Sequence, residues 1–385
     1  MSDLDYPLVS LKEGHWFKLI CGASFQHLRW VRSLSLAYTL AGADCIDVAA
    51  DPAVIAAAKE GMTVAQKFAQ TAAEKGFSQP NKPWLMVSFN DGEDPHFRKA
   101  QFDAAVCPSD CSRPCEAVCP ADAIAFNSTI SGVIDERCYG CGRCIPICPQ
   151  QLIMTRSYVS TPEAIAPLMV ESGIDAIEIH TQVGHLNDFQ RLWNAIAPYT
   201  SSLKLLAISC PDHPNLIHYL SALHSLIYPL PCPLIWQTDG RPMSGDLGIG
   251  ATRAAVKLAQ KVLAAKLPGY VQLAGGTNQH TVTKLQGMGL LKSGHSERQN
   301  QSNPSWVSGI AYGSYARALL TPILDSLDAQ KKTIVNASFP NSNIQLEDDR
   351  DLLWQAVNSA NSLVSQIKLA SKRANHVNSS LTNSR

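Results

Sequence analysis

Eight of the twelve cysteines in this 385-residue chain fall between Cys107 and Cys148, and their spacing constrains the fold more than any other feature. Cys138-x2-Cys141-x2-Cys144-x3-Cys148-Pro149 is the run in which three closely spaced thiolates wrap one corner of an iron–sulfur cubane while the fourth reaches a different cluster. Upstream, Cys107-x3-Cys111-x3-Cys115-x3-Cys119-Pro120 ends in the same Cys-Pro pair, so the two runs form an internal repeat. The repeat extends past the sulfurs, because Ile124 and Ile153 each lie five residues after a final cysteine. An apolar side chain there would shield a cluster from water and tune its potential. Zinc also takes four thiolates, but it has no use for thiolates exchanged between two runs, so iron–sulfur is the favoured reading.

The segment from about 100 to 155 resembles the two-cluster bacterial ferredoxin fold. The resemblance implies two [4Fe-4S] clusters, one held by Cys119, Cys138, Cys141 and Cys144, the other by Cys107, Cys111, Cys115 and Cys148. The first run departs from the usual two-residue gaps, which leaves a three-iron form open for its cluster.

On either side of this segment, short apolar runs alternate with helix-period stretches. Phe17–Cys21 leads into a helix from Leu28 to Leu40, and Cys45–Ala49 leads into a helix from Asp51 to Lys59. Asp51-Pro52 supplies an N-cap and a first-turn proline, and Gly42 and Gly61 stand where helices should stop. A third strand follows at Trp84–Phe89. Beyond the cysteines come a helix at 161–171 and strands at Ala176–His180, Leu203–Ser209, Leu234–Thr238, Tyr270–Ala274 and Gly309–Tyr312. Eight strands close a parallel barrel. The expected architecture is therefore α/β, a (β/α)8 barrel with an inserted ferredoxin-type α+β domain carrying two [4Fe-4S] clusters. An open doubly wound sheet is the alternative.

The boundaries are barrel units at 1–96, the iron–sulfur insert at 97–156, further barrel units at 157–330, a helical extension at 331–370 and a disordered tail at 371–385. A helix is expected from Glu347 to Ala370, and the polar stretch 291–307 reads as a surface loop.

In a barrel the insert would leave the C-terminal end of the third strand, the face where barrel sites assemble. Cys21, His180, Cys210 and Asp239 fall at strand ends on that face. Gly275-Gly276-Thr277 and Gly313-Ser314 stand where strands seven and eight of barrels often bind phosphate through backbone N–H groups. A phosphate-bearing ligand such as a flavin would suit Gly275, Gly276, Gly313 and Ser314, although glycines also serve ordinary tight turns. Gly245–Gly250 is a weaker candidate without the lysine of a nucleotide loop. Cys45 and Cys232 read as small hydrophobes.

Lys+Arg and Asp+Glu stand at 32 each, which leaves no overall field to recruit nucleic acid or an anionic membrane. No apolar run reaches membrane-spanning length, the first residues are polar, and a cytoplasmic, reducing location is expected.

The opening Trp16–Ala23, the Ala41–Asp47 turn, the cysteine insert and Gly275-Gly276-Thr277-Asn278 together resemble the cyanobacterial light-dependent period protein family over nearly the whole chain. That resemblance implies an iron–sulfur component that reports cellular redox state, and thus the light environment, to circadian clock input proteins. A redox partner or a quinone would exchange its electrons. The rival is an oxidoreductase passing electrons from the clusters to a flavin or substrate in the barrel. No nucleophile–base set at telling spacing appears, so no catalytic residue is assigned. A third reading makes the clusters structural staples of a thin insert.

Overall fold

The computed structural model describes residues 6–77, 82–119, 121–127, 131–157, 161, 171–240, 252–292, 304–335 and 344–382, with backbone alone at 95, 331–335 and 371–382. Strands β1 (Trp16–Gly22), β2 (Cys45–Ala49) and β3 (Trp84–Asn90) precede the cysteine insert. The insert contributes β4 (Arg98–Gln101), β5 (Ile124–Phe126), β6 (Ser131–Val133) and β7 (Met154–Ser157). Strands β8 (Ala176–His180), β9 (Leu205–Pro211), β10 (Leu234–Asp239), β11 (Tyr270–Ala274) and β12 (Val307–Tyr312) complete the set.

The barrel closes in the order β1-β12-β11-β10-β9-β8-β3-β2, every pairing parallel. The seam is the β1–β12 pair, with Trp16 opposite Gly309, and its existence excludes the open sheet. The insert pairs β4 with β7 and β5 with β6, both antiparallel, so its first and last strands hold its two ends together.

Alternation along the strands sorts the barrel interior into layers. The floor is apolar: Trp16 and Trp84 meet edge to face with centroids 5.7 Å apart, beside Met86 and Ala207. The helix Tyr6–Glu13 carries the buried Leu11 against this layer and plugs the bottom. Outward-facing strand residues such as Phe17, Ile46 and Ile177 pack instead into the larger core under the surrounding helices.

The helix Pro52–Lys67 runs through Gly61 rather than stopping there. A Cβ at Gly61 would stand 2.2 Å from the carbonyl oxygen of Arg32, on the neighbouring helix Leu28–Leu40. The glycine lets two helices approach closely, a tertiary role that the helix-stop reading could not anticipate.

At the other end, the helix Arg350–Thr382 starts later than expected and continues past Ser371, where composition suggested a disordered tail. Extending an existing helix needs no new nucleus, so polar residues can follow it. Lys368 on this helix holds both carboxylate oxygens of Asp44, at 2.5 and 2.6 Å, and Asp44 accepts the Phe17 N–H at 2.7 Å. The C-terminal helix is thereby tied to the start of β1.

The polar stretch expected as a loop ends sooner than 307, because Trp306 is buried and Val307 opens β12. The helix expected at 161–171 and the Gly245–Gly250 segment lie outside the described residues, apart from the ends of the former.

Gly61→Ala is expected to lower stability by about 1–3 kcal/mol, because an extra methyl overpacks the contact with Arg32. Denaturant unfolding of the whole chain reads the change. A neutral or stabilising alanine, as helix propensity alone would give, would refute the close-approach argument.

Candidate metal centre and barrel mouth

The internal repeat of the cysteine runs is also a repeat of backbone geometry. Asp122 and Gln151 each lie three residues after a final cysteine, and both take left-handed φ, 45° and 53°. That is an uncommon conformation outside glycine. Between Cys138 and Cys144 the chain turns at Gly140 and Gly142, both at positive φ. A Cβ at Gly140 would meet the Arg98 carbonyl oxygen at 2.0 Å, so only glycine fits between this loop and β4.

Electrostatic proximity sorts the thiols into two groups that cut across the runs. Cys119 and Cys144 both feel Cys138 and Cys141, whereas Cys107 and Cys115 both feel Cys148. Burial and then these like charges push Cys144 up to about 12. Cys148 moves the other way: burial opposes it, but backbone N–H groups at Leu152, Gln150, Ile153 and Gln151 hold its thiol below the usual range.

Cys119, Cys138, Cys141 and Cys144 surround a small cavity walled by Ala100, Ala123, Ile124 and Ile145. The Ala100 N–H donates to Cys138 Sγ at 3.3 Å and the Ala123 N–H to Cys119 Sγ at 3.2 Å. Four thiols around one cavity, with amide donors on the sulfurs and an apolar wall, suit an iron–sulfur cluster. Ile124 and Ile153, expected to shield clusters, are both buried in this core.

The insert docks on the barrel through buried polar contacts. Lys99 donates to Gln26 Oε1 at 2.7 Å and to both the carbonyl and the carboxylate of Asp135, at 2.6 and 2.9 Å. The Arg317 guanidinium lies 4.1 Å from the centre of the Tyr139 ring and donates to the carbonyls of Ile20 and Cys21 at the end of β1. Tyr139 and Cys141 consequently line the barrel mouth, a cleft of about 820 Å³ counted out to open solvent.

Gly275, Gly276, Gly313 and Ser314 also line this cleft, so the structure brings together the two glycine turns that the sequence singled out. His180 and Asp239 line it too. Cys21 and Cys210 do not: each is one residue out of phase with the interior, buried under the outer helices, and pushed by burial up to about 12.

Beneath the cleft lies a polar layer that sequence reasoning missed. Lys18 is fully buried, 3.1 Å from Asp47 and in direct contact with Glu178. Burial alone would lower its pKa, but Asp47 and Glu178 hold it above the usual lysine value. Lys18 donates to Gln237 Oε1 at 3.0 Å, Gln237 donates to Glu178 Oε1 at 2.6 Å, and Gln272 donates to Gln237 at 2.6 Å. Trp16 in the floor donates to Gln272 at 2.6 Å. The available signal was one polar residue inside each of several apolar strands: Phe17-Lys18-Leu19, Ile46-Asp47-Val48, Ile177-Glu178-Ile179. Asp94 and His96, contributed by the segment after β3, carried no such signal.

A barrel whose mouth is covered by a cysteine-rich, ferredoxin-type insert defines the class: an iron–sulfur protein built on a (β/α)8 scaffold. A model of the light dependent period A Fe–S cluster-binding domain matches residues 107–159, and one of the light dependent period A C-terminal domain matches residues 168–366. "Light dependent period A" of Synechococcus elongatus is 49% identical over 365 residues, covering 95% of this chain and 94% of that one. The chain belongs to the light dependent period A family. A component of an ion-translocating oxidoreductase complex from Methanosarcina acetivorans is 41% identical over 54 residues, 14% of this chain and 20% of that one. A tryptophan synthase chain from M. tuberculosis superposes with TM-score 0.39 at 10% identity, covering 95% of this chain and 99% of that one. This likeness is too slight to add to the strand order. Among the described residues, no helix is long and apolar enough to cross a membrane.

Lys18→Met leaves Asp47 and Glu178 buried without their shared cation, and is expected to cost about 3–5 kcal/mol in urea unfolding. Retained stability would show that the interior carboxylates are neutral in the native protein.

Proposed function

We propose that this chain is a redox reporter for the circadian clock, carrying two [4Fe-4S] clusters in the insert. Cys119, Cys138, Cys141 and Cys144 hold the inner cluster, and Cys107, Cys111, Cys115 and Cys148 the outer one. The observation that carries the reading is the segregation of the thiols into two groups, one of which faces the barrel mouth through Cys141. When bound, such clusters accept and return single electrons.

The chain's own residues set how that electron is felt. Amide donors from Ala100 and Ala123 offset negative charge on the inner sulfurs, and Ile124 keeps water away. The outer group is flanked by the exposed apolar side chains Val106 and Ile147, each next in sequence to one of its cysteines. A change of one charge beneath such a patch biases the docking of a clock input protein or a redox partner.

The second reading is an oxidoreductase that passes electrons to a flavin, quinone or substrate in the barrel. It is favoured by the cleft itself, where Cys141 and Tyr139 face the two glycine turns. Gly275, Gly276, Gly313 and Ser314 would then bind the phosphate of the ligand.

Anaerobically purified protein is expected to hold about eight iron and eight sulfide atoms per chain. Cys141→Ser and Cys148→Ser should each roughly halve that content and remove different signals from the paramagnetic resonance spectrum of the reduced protein. Zinc in place of iron, or no acid-labile sulfide, would sink both readings. Equal binding of a clock input protein to oxidised and dithionite-reduced material would sink the reporter, and a co-purifying flavin with turnover would favour the oxidoreductase.

A further inference from the structure

The barrel mouth holds a second set of metal-type donors, nitrogen and oxygen rather than sulfur, that the cysteine insert does not explain. Asp94 and His96 follow β3, and His180 ends β8. Asp94 Oδ1 lies 2.7 Å from His96 Nδ1 and 3.8 Å from His180 Nδ1, with the ring centres 4.9 Å apart. One ligand atom from each of the three residues falls within 4.8 Å of the others.

The far nitrogens are also placed. His96 Nε2 is 3.1 Å from Asp239 Oδ2, and His180 Nε2 is 2.8 Å from Glu178 Oε1. Each imidazole thus turns one nitrogen to a shared carboxylate oxygen and donates from the other to a second carboxylate. In metal sites that second contact fixes the tautomer and raises the basicity of the ligating nitrogen.

An independent observation points the same way. Asp239 is 4% exposed, and its Oδ1 has no hydrogen-bond partner among the described residues. A buried, unpaired carboxylate oxygen is costly. Around the mouth, among the described residues, Asp47, Asp94, Glu178 and Asp239 are set against two fixed cations, the Lys18 ammonium and the Arg317 guanidinium, and the latter is turned to the Ile20 and Cys21 carbonyls. Two protonated histidines could offset that charge, but they would leave Asp239 Oδ1 without a partner. A divalent ion offsets the charge and brings a bound water that can donate to it.

We propose that Asp94 Oδ1, His96 Nδ1 and His180 Nδ1 bind a divalent transition ion of the zinc class, with Asp239 and Glu178 as orienting carboxylates. Two imidazoles and a carboxylate suit zinc, iron(II) or cobalt(II). Three protein ligands leave a position open toward the cleft, the form taken by catalytic rather than structural sites. Binding displaces the proton shared between Asp94 and His96.

The test uses anaerobically purified holoprotein, stripped of loose metal with a mild chelator and titrated with Zn²⁺. About one zinc per chain should bind without loss of iron or sulfide, and zinc-edge X-ray absorption should show nitrogen and oxygen at about 2.0–2.1 Å with no sulfur shell near 2.3 Å. Asp94→Asn and His180→Gln should each abolish that equivalent, and Asp239→Asn should weaken it about 10–100-fold. Failure to retain zinc, a sulfur shell, or undiminished binding in the variants would overturn the assignment. Should His180→Gln misfold, as loss of iron and circular dichroism would reveal, His96→Gln in the segment before the insert decides the question in its place.

Discussion

A lysine ammonium buried at the centre of a closed barrel is the constraint around which the rest of this molecule is arranged. Removing an ion from water costs several kcal/mol even after relaxation, and Lys18 has no route to solvent. Its charge is met by Asp47 from β2 and Glu178 from β8, and its remaining donor capacity by Gln237 from β10. Contributions from four strands are needed at one point, which only the closed barrel supplies. The network divides an apolar floor, sealed by Trp16 and Trp84, from a polar mouth open to solvent.

The insert completes that mouth. It leaves the barrel at the C-terminal end of β3, on the mouth side, and its own first and last strands lie side by side. This antiparallel β4–β7 pair leads outward into the cysteine core. The segment leading into the insert delivers Asp94 and His96 beside His180, while the loop between Cys138 and Cys144 brings Cys141 and Tyr139 to the rim. The Cys141 thiol and two imidazoles therefore border one cleft. Arg317, lying on Tyr139 and bonded to the end of β1, fixes the two parts to each other.

The strand pattern was legible because burial on both faces leaves short, strongly apolar runs between turn signals, and all eight barrel strands lie where such runs occur. The cysteine runs were legible because ligand spacing is a local property. Gly61 reads as a helix stop because a glycine that ends a helix and one that admits a neighbouring helix look alike in sequence. Cys21 and Cys210 resemble mouth residues by position along their strands. The pleat turns both outward, since neighbours in a strand face opposite ways.

Sequence by itself determined the covalent repeat of thiols and the alternation of apolar segments, because both are written within a few residues of each other. Only the tertiary structure decided which carboxylates face Lys18, and which nitrogens face Asp94. Those partners stand as far apart as Lys18 and Gln237, and strand order and register, rather than chain proximity, bring them within hydrogen-bonding distance.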